Sequence, residues 1–438
     1  MSSGNRDGFS SKFGVVAAAA GSAVGLGNIW RFPYIVGENG GGAFLLVYLL
    51  FIVSIGLPVM LSELLIGRRA QKNVFGAFRA LAPNRPLFMA VGVMGVGAAF
   101  MILAFYAVVA GWTLEYTVLA VKNDLSGMST GQLNQYYEEF SNSIWGPMAW
   151  MVVFMVLTAS IVIGGVKNGI EKYTKVLMPL LLVIIVILCL KSVSLEGAEV
   201  GLAFLFKPDF SKVTGSVVLE ALGQAFFSLS IGMGVIATYG SYIQKKENLL
   251  YTAVSVSFAD TIIAILAGVA IFPAVFAFGV DPSAGPGLVF KTLPNVFNHM
   301  QGGYIFSVAF FVLLVIAALT SSVSLLEVVV AYFTEELKIK RTTATVIAAV
   351  SIAGLGALCV VSDRVFKLFD WTSSNILLPL GGILIAVFVG WILGKENVKN
   401  ELEAHGGKVY LVGVLLIILK VVAPLAIGAV FLKGLGIL

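Results

Sequence analysis

The feature that most constrains this chain is a hydrophobic segment, residues 14–42, that is long enough to cross a bilayer but is interrupted by glycines. Gly21, Gly25 and Gly27 lie where a membrane-spanning helix would otherwise be continuous, and Asn28 follows directly. Inside hydrocarbon, each unpaired backbone amide or carbonyl costs several kcal/mol, so a non-helical stretch is tolerated only where it lines a cavity or holds a ligand. The break therefore predicts a solute or ion site near the middle of the membrane.

The composition places the whole chain in the membrane. Of its 438 residues, 59% are hydrophobic and 12% are charged, whereas a soluble chain carries about 25% charged residues. Apolar runs of 18 or more residues recur from end to end, and each is long enough to span about 30 Å of hydrocarbon. The first run lacks a small-residue cleavage site, so we interpret it as a retained span. The fold class predicted is an all-α polytopic membrane protein.

The apolar runs predict eleven spans. Their expected positions are 10–36, 41–67, 87–121, 146–165, 170–191, 216–243, 250–280, 303–337, 342–361, 368–394 and 409–433. Between them we expect a polar loop at 122–145, and a loop at 281–300 that contains a short helix near Phe290–His299.

A second glycine-containing break, Phe226–Gly234, interrupts the sixth span. Broken spans at matching positions in two halves indicate an inverted-repeat transporter. We therefore expect a core at 1–394, made of spans 1–5 (10–191) and 6–10 (216–394). Residues 395–438 would add one further span.

The distribution of basic residues predicts the orientation. With the N-terminus inside, 18 Lys and Arg residues fall on the inner face and 8 on the outer face. Cytoplasmic loops carry the excess of Lys and Arg, so the N-terminus is expected in the cytoplasm. Eleven spans then leave the C-terminus outside.

Five ionisable residues lie well inside predicted spans, namely Glu63, Glu220, Asp260, Glu327 and Lys420. Burying a charge there costs about 2.5–3.5 kcal/mol or more, so each needs a structural or functional reason. Glu63 and Glu220 are expected to accept hydrogen bonds from amides freed at the breaks. Asp260, with Asn28 and Ser228, offers the hard oxygen ligands that Na⁺ prefers. Lys420 has no predicted function, and a lipid-facing or subunit-facing position is equally open.

Two hydroxyls in the eighth span, Thr320 and Ser321, have two interpretations. They can bond to carbonyls of their own helix one turn earlier and be inert. Opposite the free carbonyls of Gly21 and Val24, they would instead form a second cation site.

Four motifs resemble those of the neurotransmitter:sodium symporter family, and in particular its short bacterial amino-acid transporters. The motifs are Gly-Ser-Ala-Val-Gly-Leu-Gly-Asn-Ile-Trp-Arg-Phe-Pro at 21–33, Glu-Asn-Gly-Gly-Gly-Ala-Phe at 38–44, Gln-Ala-Phe-Phe-Ser-Leu-Ser at 224–230 and Leu-Thr-Ser-Ser at 319–322. The resemblance covers spans 1–10. It implies a 5+5 inverted repeat with helices 1 and 6 broken, and symport of an amino acid with Na⁺.

The resemblance also implies specific site residues. Substrate would contact Ser22, Ala23, Leu26, Gly27, Ile102, Tyr106, Phe227, Ser228, Ser230, Met233, Ser321 and Leu325. A first sodium ion would bind to Ala23, Asn28, Ser228 and Asp260, and a second to Gly21, Val24, Ala317, Thr320 and Ser321. Arg31 and Asp370 match the outer gate of the family, and Arg6, Glu335 and Tyr242 match its inner latch.

Departures from the family pattern concern the anion and the substrate. Chloride-dependent relatives have a neutral Asn where this chain has Asp260, so transport is expected to be chloride-independent. The apolar pocket and Met233 favour a neutral hydrophobic amino acid, with an aromatic one expected and a branched aliphatic one as the alternative. The partners expected are this amino acid, two coupling Na⁺ ions and the lipid of the bacterial cytoplasmic membrane. No other cofactor and no nucleic acid are expected, and the oligomeric state is open.

Two other classes of protein fit less well. A sodium-selective channel needs a continuous pore, whereas charged gates are expected at both ends of this chain. An enzyme is not expected, because no catalytic triad, metal cluster or phosphate-binding loop is recognisable.

Overall fold

The computed structural model describes residues 8–279, 289–408 and 410–437, and the regular structure in these ranges is helical. Nine helices within them are long and apolar enough to cross a membrane. They are Gly42–Ala70, Leu87–Lys122, Trp145–Ile163, Val166–Val193, Leu249–Ala277, Gly303–Glu335, Arg341–Val361, Asp363–Leu393 and Val412–Gly434. These correspond to predicted spans 2–5 and 7–11.

The first span consists of two helices, Lys12–Ala23 and Gly27–Glu38, which meet at an angle of 49°. The Ser11 side chain caps the first helix by accepting a hydrogen bond from the Gly14 amide at 3.0 Å. That helix ends where Val24 takes an extended backbone conformation, with φ −74° and ψ 98°. The predicted break is therefore confirmed in position and in kind.

The sixth span is also interrupted, into Gly215–Ser228 and Val235–Gly240. Its connecting segment includes Gly232 and Gly234, whose φ angles are 83° and 74°. Only glycine adopts this left-handed conformation without steric cost, which explains the glycine spacing in the motif. The segment passes beside Glu63, whose carboxylate accepts hydrogen bonds from the Gly232 amide at 2.7 Å and the Ala237 amide at 3.3 Å. Glu63 thus satisfies freed amides, as the sequence predicted.

The spans differ in how deeply they are buried. In the most apolar window of Gly303–Glu335, 72% of the residues are buried, compared with 22% in Val412–Gly434. The eighth span is therefore central, and it packs along Leu87–Lys122 and against the first helix. The eleventh span lies at the periphery.

Shorter helices lie between the spans. They are Val74–Leu81, Thr130–Asn142, Ala198–Phe206, Thr292–His299 and Lys395–Leu402, with one 3₁₀ turn at Phe210–Lys212. The predicted short helix near Phe290–His299 is thus present as Thr292–His299; the preceding residues 280–288 lie outside the described ranges. The polar loop predicted at 122–145 contains a helix, Thr130–Asn142, that the sequence reasoning did not predict.

A capping box begins that unpredicted helix, with Ser129 and Gln132 bonding to each other's backbone. The helix joins Thr292–His299 through an ion pair between Glu138 and Lys291. The adjacent Lys291 ammonium lowers the pKa of the Glu138 carboxyl below its ordinary value.

Two of the ionisable residues predicted inside spans, Glu220 and Lys420, involve the eleventh span. Glu220 was expected at a helix break but is half-exposed and pairs with Lys433 at 3.1 Å, so that expectation is wrong. Lys420 lies with its ammonium 5.2 Å from the ring centre of Trp391. A long aliphatic side chain can bury its stem and satisfy its charge against an aromatic face in this way.

Candidate functional site

The two interrupted spans meet the eighth span in the interior of the protein. The carbonyl of Ser22 accepts hydrogen bonds from the hydroxyls of Ser230 and Ser321, each at 3.0 Å. The carbonyl of Gly27 accepts one from the side-chain amide of Gln224 at 3.1 Å. Backbone groups freed by the break in the first span are therefore paired with side chains of the sixth and eighth spans, which fixes the relative position of all three.

A small inner cavity lies at this junction. It is lined by Ser22, Ala23, Gly25, Gly27, Ile102, Tyr106, Phe227, Ser230, Met233, Ser321, Ser324 and Leu325. Ten of the twelve residues predicted to contact substrate are among them. The other two lie beside the cavity: the Leu26 amide donates to the Tyr106 hydroxyl at 3.2 Å, and Ser228 donates to the Asp260 carboxylate.

Two lining residues were missed by the sequence reasoning, Gly25 and Ser324. Gly25 belongs to the same broken segment as its predicted neighbours. Ser324 follows Ser321 by three residues, which places the two on the same helix face. The glycine break and the helical spacing could therefore have predicted both residues.

The cavity has a polar end and an apolar end. At the polar end, the Ser22 hydroxyl is buried and has no hydrogen-bond partner within the described part of the chain, and the Tyr106 hydroxyl lies beside the broken segment. The opposite end is formed by the buried side chains of Ile102, Met233 and Leu325. This arrangement suits a ligand with a polar head and a hydrophobic tail, since buried polar atoms need partners.

A buried carboxylate lies next to the cavity. Asp260 is completely buried and accepts hydrogen bonds from Asn28 Nδ2 and Ser228 Oγ, both at 2.7 Å. The Tyr48 hydroxyl, which the sequence reasoning missed, lies 3.4 Å from the same carboxylate. These three partners are neutral, so they leave the negative charge of the carboxylate uncompensated. Ala23, the remaining predicted ligand of a first sodium ion, lines the adjoining cavity.

The second predicted cation site gathers carbonyl and hydroxyl oxygens. The Ser321 hydroxyl lies 3.5 Å from the Gly21 carbonyl and 3.4 Å from the Val24 carbonyl. The Thr320 hydroxyl lies 3.4 Å from the Val24 carbonyl and 3.1 Å from that of Ala317. All five residues predicted for the second ion therefore converge. The Thr320 hydroxyl also donates to the Ile316 carbonyl, one turn earlier in its own helix, at 3.1 Å. The same hydroxyl therefore makes the bond within its helix and also lies opposite the Val24 carbonyl.

A larger cavity of about 280 Å³ lies on the outer side of the junction. Arg31, Asp370 and Phe227 line it, and the Arg31 guanidinium lies over the Phe227 ring, 4.3 Å from its centre. Because Phe227 also lines the small inner cavity, it lies between the two. The predicted outer-gate residues thus face the same space directly above this aromatic partition.

The inner side is closed by a polar cluster that includes Tyr242, one of the three predicted latch residues. The Tyr242 hydroxyl donates to Glu327 at 2.7 Å, and Arg341 pairs with the same carboxylate at 2.5 Å. Glu335 accepts hydrogen bonds from the backbone and side-chain nitrogens of Asn73, at 2.7 and 3.0 Å. Arg6, the third predicted latch residue, lies outside the described residues.

Aromatic packing reinforces this inner closure. Phe9 is buried and packs edge-to-face on Tyr239 and Tyr242, and its amide donates to the Tyr242 carbonyl at 3.3 Å. The start of the first span is therefore attached to the inner half of the sixth.

Comparison with known proteins gives concordant matches. The model of the sodium:neurotransmitter symporter family matches residues 6–141 and 131–436. An uncharacterised sodium-dependent transporter, YhdH of Bacillus subtilis, is 39% identical over 443 residues, which is 98% of both chains. An uncharacterised sodium-dependent transporter of Haemophilus influenzae is 38% identical over 451 residues, again 98% of both. The crystal structure of MhsT in complex with L-phenylalanine superposes with a TM-score of 0.91 at 45% identity, covering 98% of this chain and 100% of that one.

Proposed function

The chain belongs to the sodium:neurotransmitter symporter family, and on that premise we propose that it couples Na⁺ entry to the uptake of a neutral hydrophobic amino acid, chiefly an aromatic one. It is a sodium-dependent membrane transporter, not an enzyme. The observation that carries the proposal is the small inner cavity at the junction of spans one, six and eight. This cavity has a polar end beside two groups of oxygen atoms and an apolar end without a charged side chain among its lining residues.

The polar end suits the α-amino and α-carboxylate groups. The substrate carboxylate would lie against the broken first span between Ser22 and Gly27, where Gly27 begins the outer helix. The positive end of a helix favours an anion there. A sodium ion at Asn28, Ser228 and Asp260 would contact both the protein and this carboxylate. Because each charge then compensates the other, neither binds well alone.

The apolar end would select the side chain. Ile102, Met233 and Leu325 are buried hydrophobic residues, so a charged side chain would be placed there without a partner and rejected. Met233 has a flexible, polarisable side chain that packs well against rings, and MhsT, a similar protein, is known with L-phenylalanine bound. A branched aliphatic substrate is the second candidate, because the same apolar side chains would also contact a leucine-sized group.

Asp260 supports chloride independence. The described partners of its carboxylate are neutral, so its negative charge is available to balance a bound Na⁺ without an added anion. In a low-dielectric interior this balance contributes far more than it would in water.

Alternating access would use the two closures already described. Movement of Phe227 and Arg31 would connect the small inner cavity to the outer cavity. Release on the other side would require the start of the first span to leave Tyr242 and its neighbours. We propose that this inner side faces the cytoplasm, since 18 Lys and Arg residues are on it.

The test is uptake by purified protein in liposomes with and without an inward Na⁺ gradient. We expect saturable, gradient-driven uptake of radiolabelled L-phenylalanine that is displaced by tyrosine, tryptophan and leucine. Stronger displacement by glycine, glutamate or lysine would contradict the pocket interpretation. Non-saturable Na⁺ flux without amino-acid uptake would indicate a channel.

A further inference from the structure

The fifth span begins with an irregular segment that contacts the start of the first span. Its first residues, Val166–Glu171, form π-helical turns, followed by a regular helix, Lys172–Val193. Only Gly164 and Gly165 separate it from the fourth span, and Gly165 has a φ of 83°. Departures from α-helical winding frequently occur at functional sites, and this one ends at a buried acid.

That acid, Glu171, is bonded to the N-terminus of the first helix. Its side chain is 1% exposed and accepts hydrogen bonds from Ser10 N and Ser10 Oγ, both at 2.7 Å, and from Ser11 Oγ at 3.0 Å. Lys175, one turn along its own helix, pairs with it at 2.5 Å. Hydrogen bonds to an ionised acceptor are about twice as strong as neutral ones, and a negative charge at a helix N-terminus is favourable.

The backbone at this contact is tightly fitted. A methyl group on Gly14 would lie 2.1 Å from Glu171 Oε1, so the helix must present a glycine where it passes the carboxylate. Ser10, Ser11 and Gly14 thus together form the surface against which the Glu171 side chain packs.

The same two helices also touch at the candidate cation site. Met178, two turns after Glu171, lies against Gly21, where a methyl group would be 3.3 Å from its sulfur. Ser11 and Gly21 are ten residues apart, about 15 Å along an α-helix. Because Lys12–Ala23 is one continuous helix, we expect a displacement at its capped end to carry the Gly21 carbonyl near its other end with it.

We propose that Glu171 is a positioning residue of the transport cycle, which holds the inner half of the first span against the fifth and thereby keeps the path from the second cation site to the inner face closed. The role of Glu171 depends on the proposed function only in that the ion at the second site is taken to be Na⁺. While Glu171 is bonded to Ser10 and Ser11, the carbonyls of Gly21 and Val24 stay opposite Thr320 and Ser321. When these bonds are released, the helix leaves the fifth span, and the oxygen atoms of the site separate.

The test measures access to the small inner cavity from each face of the membrane. A reporter cysteine replaces Ser324, which lines the cavity and is buried, in a chain where the buried Cys189 and Cys359 are alanine. A membrane-impermeant maleimide is applied to one face at a time, in Na⁺-free buffer. With Glu171→Gln we expect labelling from the inner face about tenfold faster than in the parent, as the loss of one or two charge-assisted hydrogen bonds implies. Labelling from the outer face should be unchanged or slower.

Two further variants separate positioning from general damage. Ser10→Ala with Ser11→Ala leaves the acid in place but removes two of its donors, and should also accelerate inner labelling. Lys175→Gln removes an ion-pair partner of Glu171 that belongs to the fifth span itself. It should therefore leave the labelling rates from both faces close to those of the parent. Equal acceleration from both faces, or no acceleration in either Glu171→Gln or the double serine variant, would overturn the inference.

Sodium provides an independent readout. In the parent, Na⁺ should slow inner labelling, and Glu171→Gln should need about tenfold more Na⁺ for half of that protection. An absence of Na⁺ protection in the parent would contradict the proposed function, while the rates measured without Na⁺ still decide the role of Glu171.

Discussion

Replacing Asp260 with asparagine is the most direct test of how the protein balances the charge of its coupling ion. The change keeps the size of the side chain and an oxygen that can accept from Asn28 or Ser228. It removes one negative charge from a site that is completely buried. We expect Asp260→Asn to lose Na⁺-dependent amino-acid binding in chloride-free buffer, and to recover part of it when chloride is added.

The size of the effect follows from the burial of the carboxylate. Two unit charges about 4 Å apart interact by about 4 kcal/mol at an effective dielectric constant near 20. Each 1.4 kcal/mol is a factor of ten, so the full interaction corresponds to almost a thousandfold in Na⁺ affinity. The neutral partners Asn28, Ser228 and Tyr48 compensate part of the loss through their oxygen atoms. We therefore expect the Na⁺ concentration for half-maximal binding to rise by about a hundredfold or more.

The assay is equilibrium binding of radiolabelled L-phenylalanine as a function of Na⁺, with chloride replaced by gluconate in a parallel series. Glu199→Gln is the matched control, since it also removes one carboxylate but from an exposed position in the helix Ala198–Phe206. The reasoning is refuted if Asp260→Asn keeps the parent's Na⁺ dependence in both salts. An equal loss of Na⁺-dependent binding in Glu199→Gln would show that the effect comes from net charge in general.

Three other perturbations probe the rest of the site. Thr320→Ala combined with Ser321→Ala should raise the Na⁺ requirement sharply, because a buried cation loses two oxygen ligands; an unchanged Na⁺ titration of binding would exclude the second ion site. Neutralising Arg31 or Asp370 should slow uptake into liposomes more than it weakens equilibrium Na⁺ binding, and normal uptake by both single variants would argue against an outer gate. Met233→Phe adds bulk to the small inner cavity, where overpacking costs about 1–3 kcal/mol. Tryptophan should lose about tenfold or more in competition with L-phenylalanine, with a smaller change for leucine, and equal losses for both would contradict selection at this position.

Hydropathy and glycine placement were sufficient to predict the spans and both breaks. The cost of an unpaired amide in hydrocarbon depends little on the surrounding fold, so a glycine-rich interruption of an apolar run has few interpretations. The same reasoning identified Glu63 as an acceptor for freed amides. It failed for Glu220, because Lys433, its partner in the eleventh span, lies 213 residues away.

The contacts that sequence reasoning missed are long-range contacts between ordinary residues. Tyr48 lies in an apolar run, and nothing local distinguishes it from a core tyrosine, yet its hydroxyl is near Asp260, 212 residues away. The cluster of Tyr242, Glu327 and Arg341 likewise joins three spans. The helix Thr130–Asn142 is a different case, since Ser129 and Gln132 have the spacing of a capping box and were a readable signal.

The broken segment of the first span also explains why ion and amino acid should depend on each other. Residues 21–24 are consecutive, and they would contribute to both proposed sites. The carbonyls of Gly21 and Val24 face the hydroxyls of the eighth span, while Ser22 and Ala23 line the cavity. The Ser22 carbonyl is held from the sixth and eighth spans at once. A ligand that orders this segment from either side therefore lowers the ordering cost for the other. Coupling of this kind is reciprocal, so the factor by which Na⁺ strengthens amino-acid binding must equal the factor by which the amino acid strengthens Na⁺ binding.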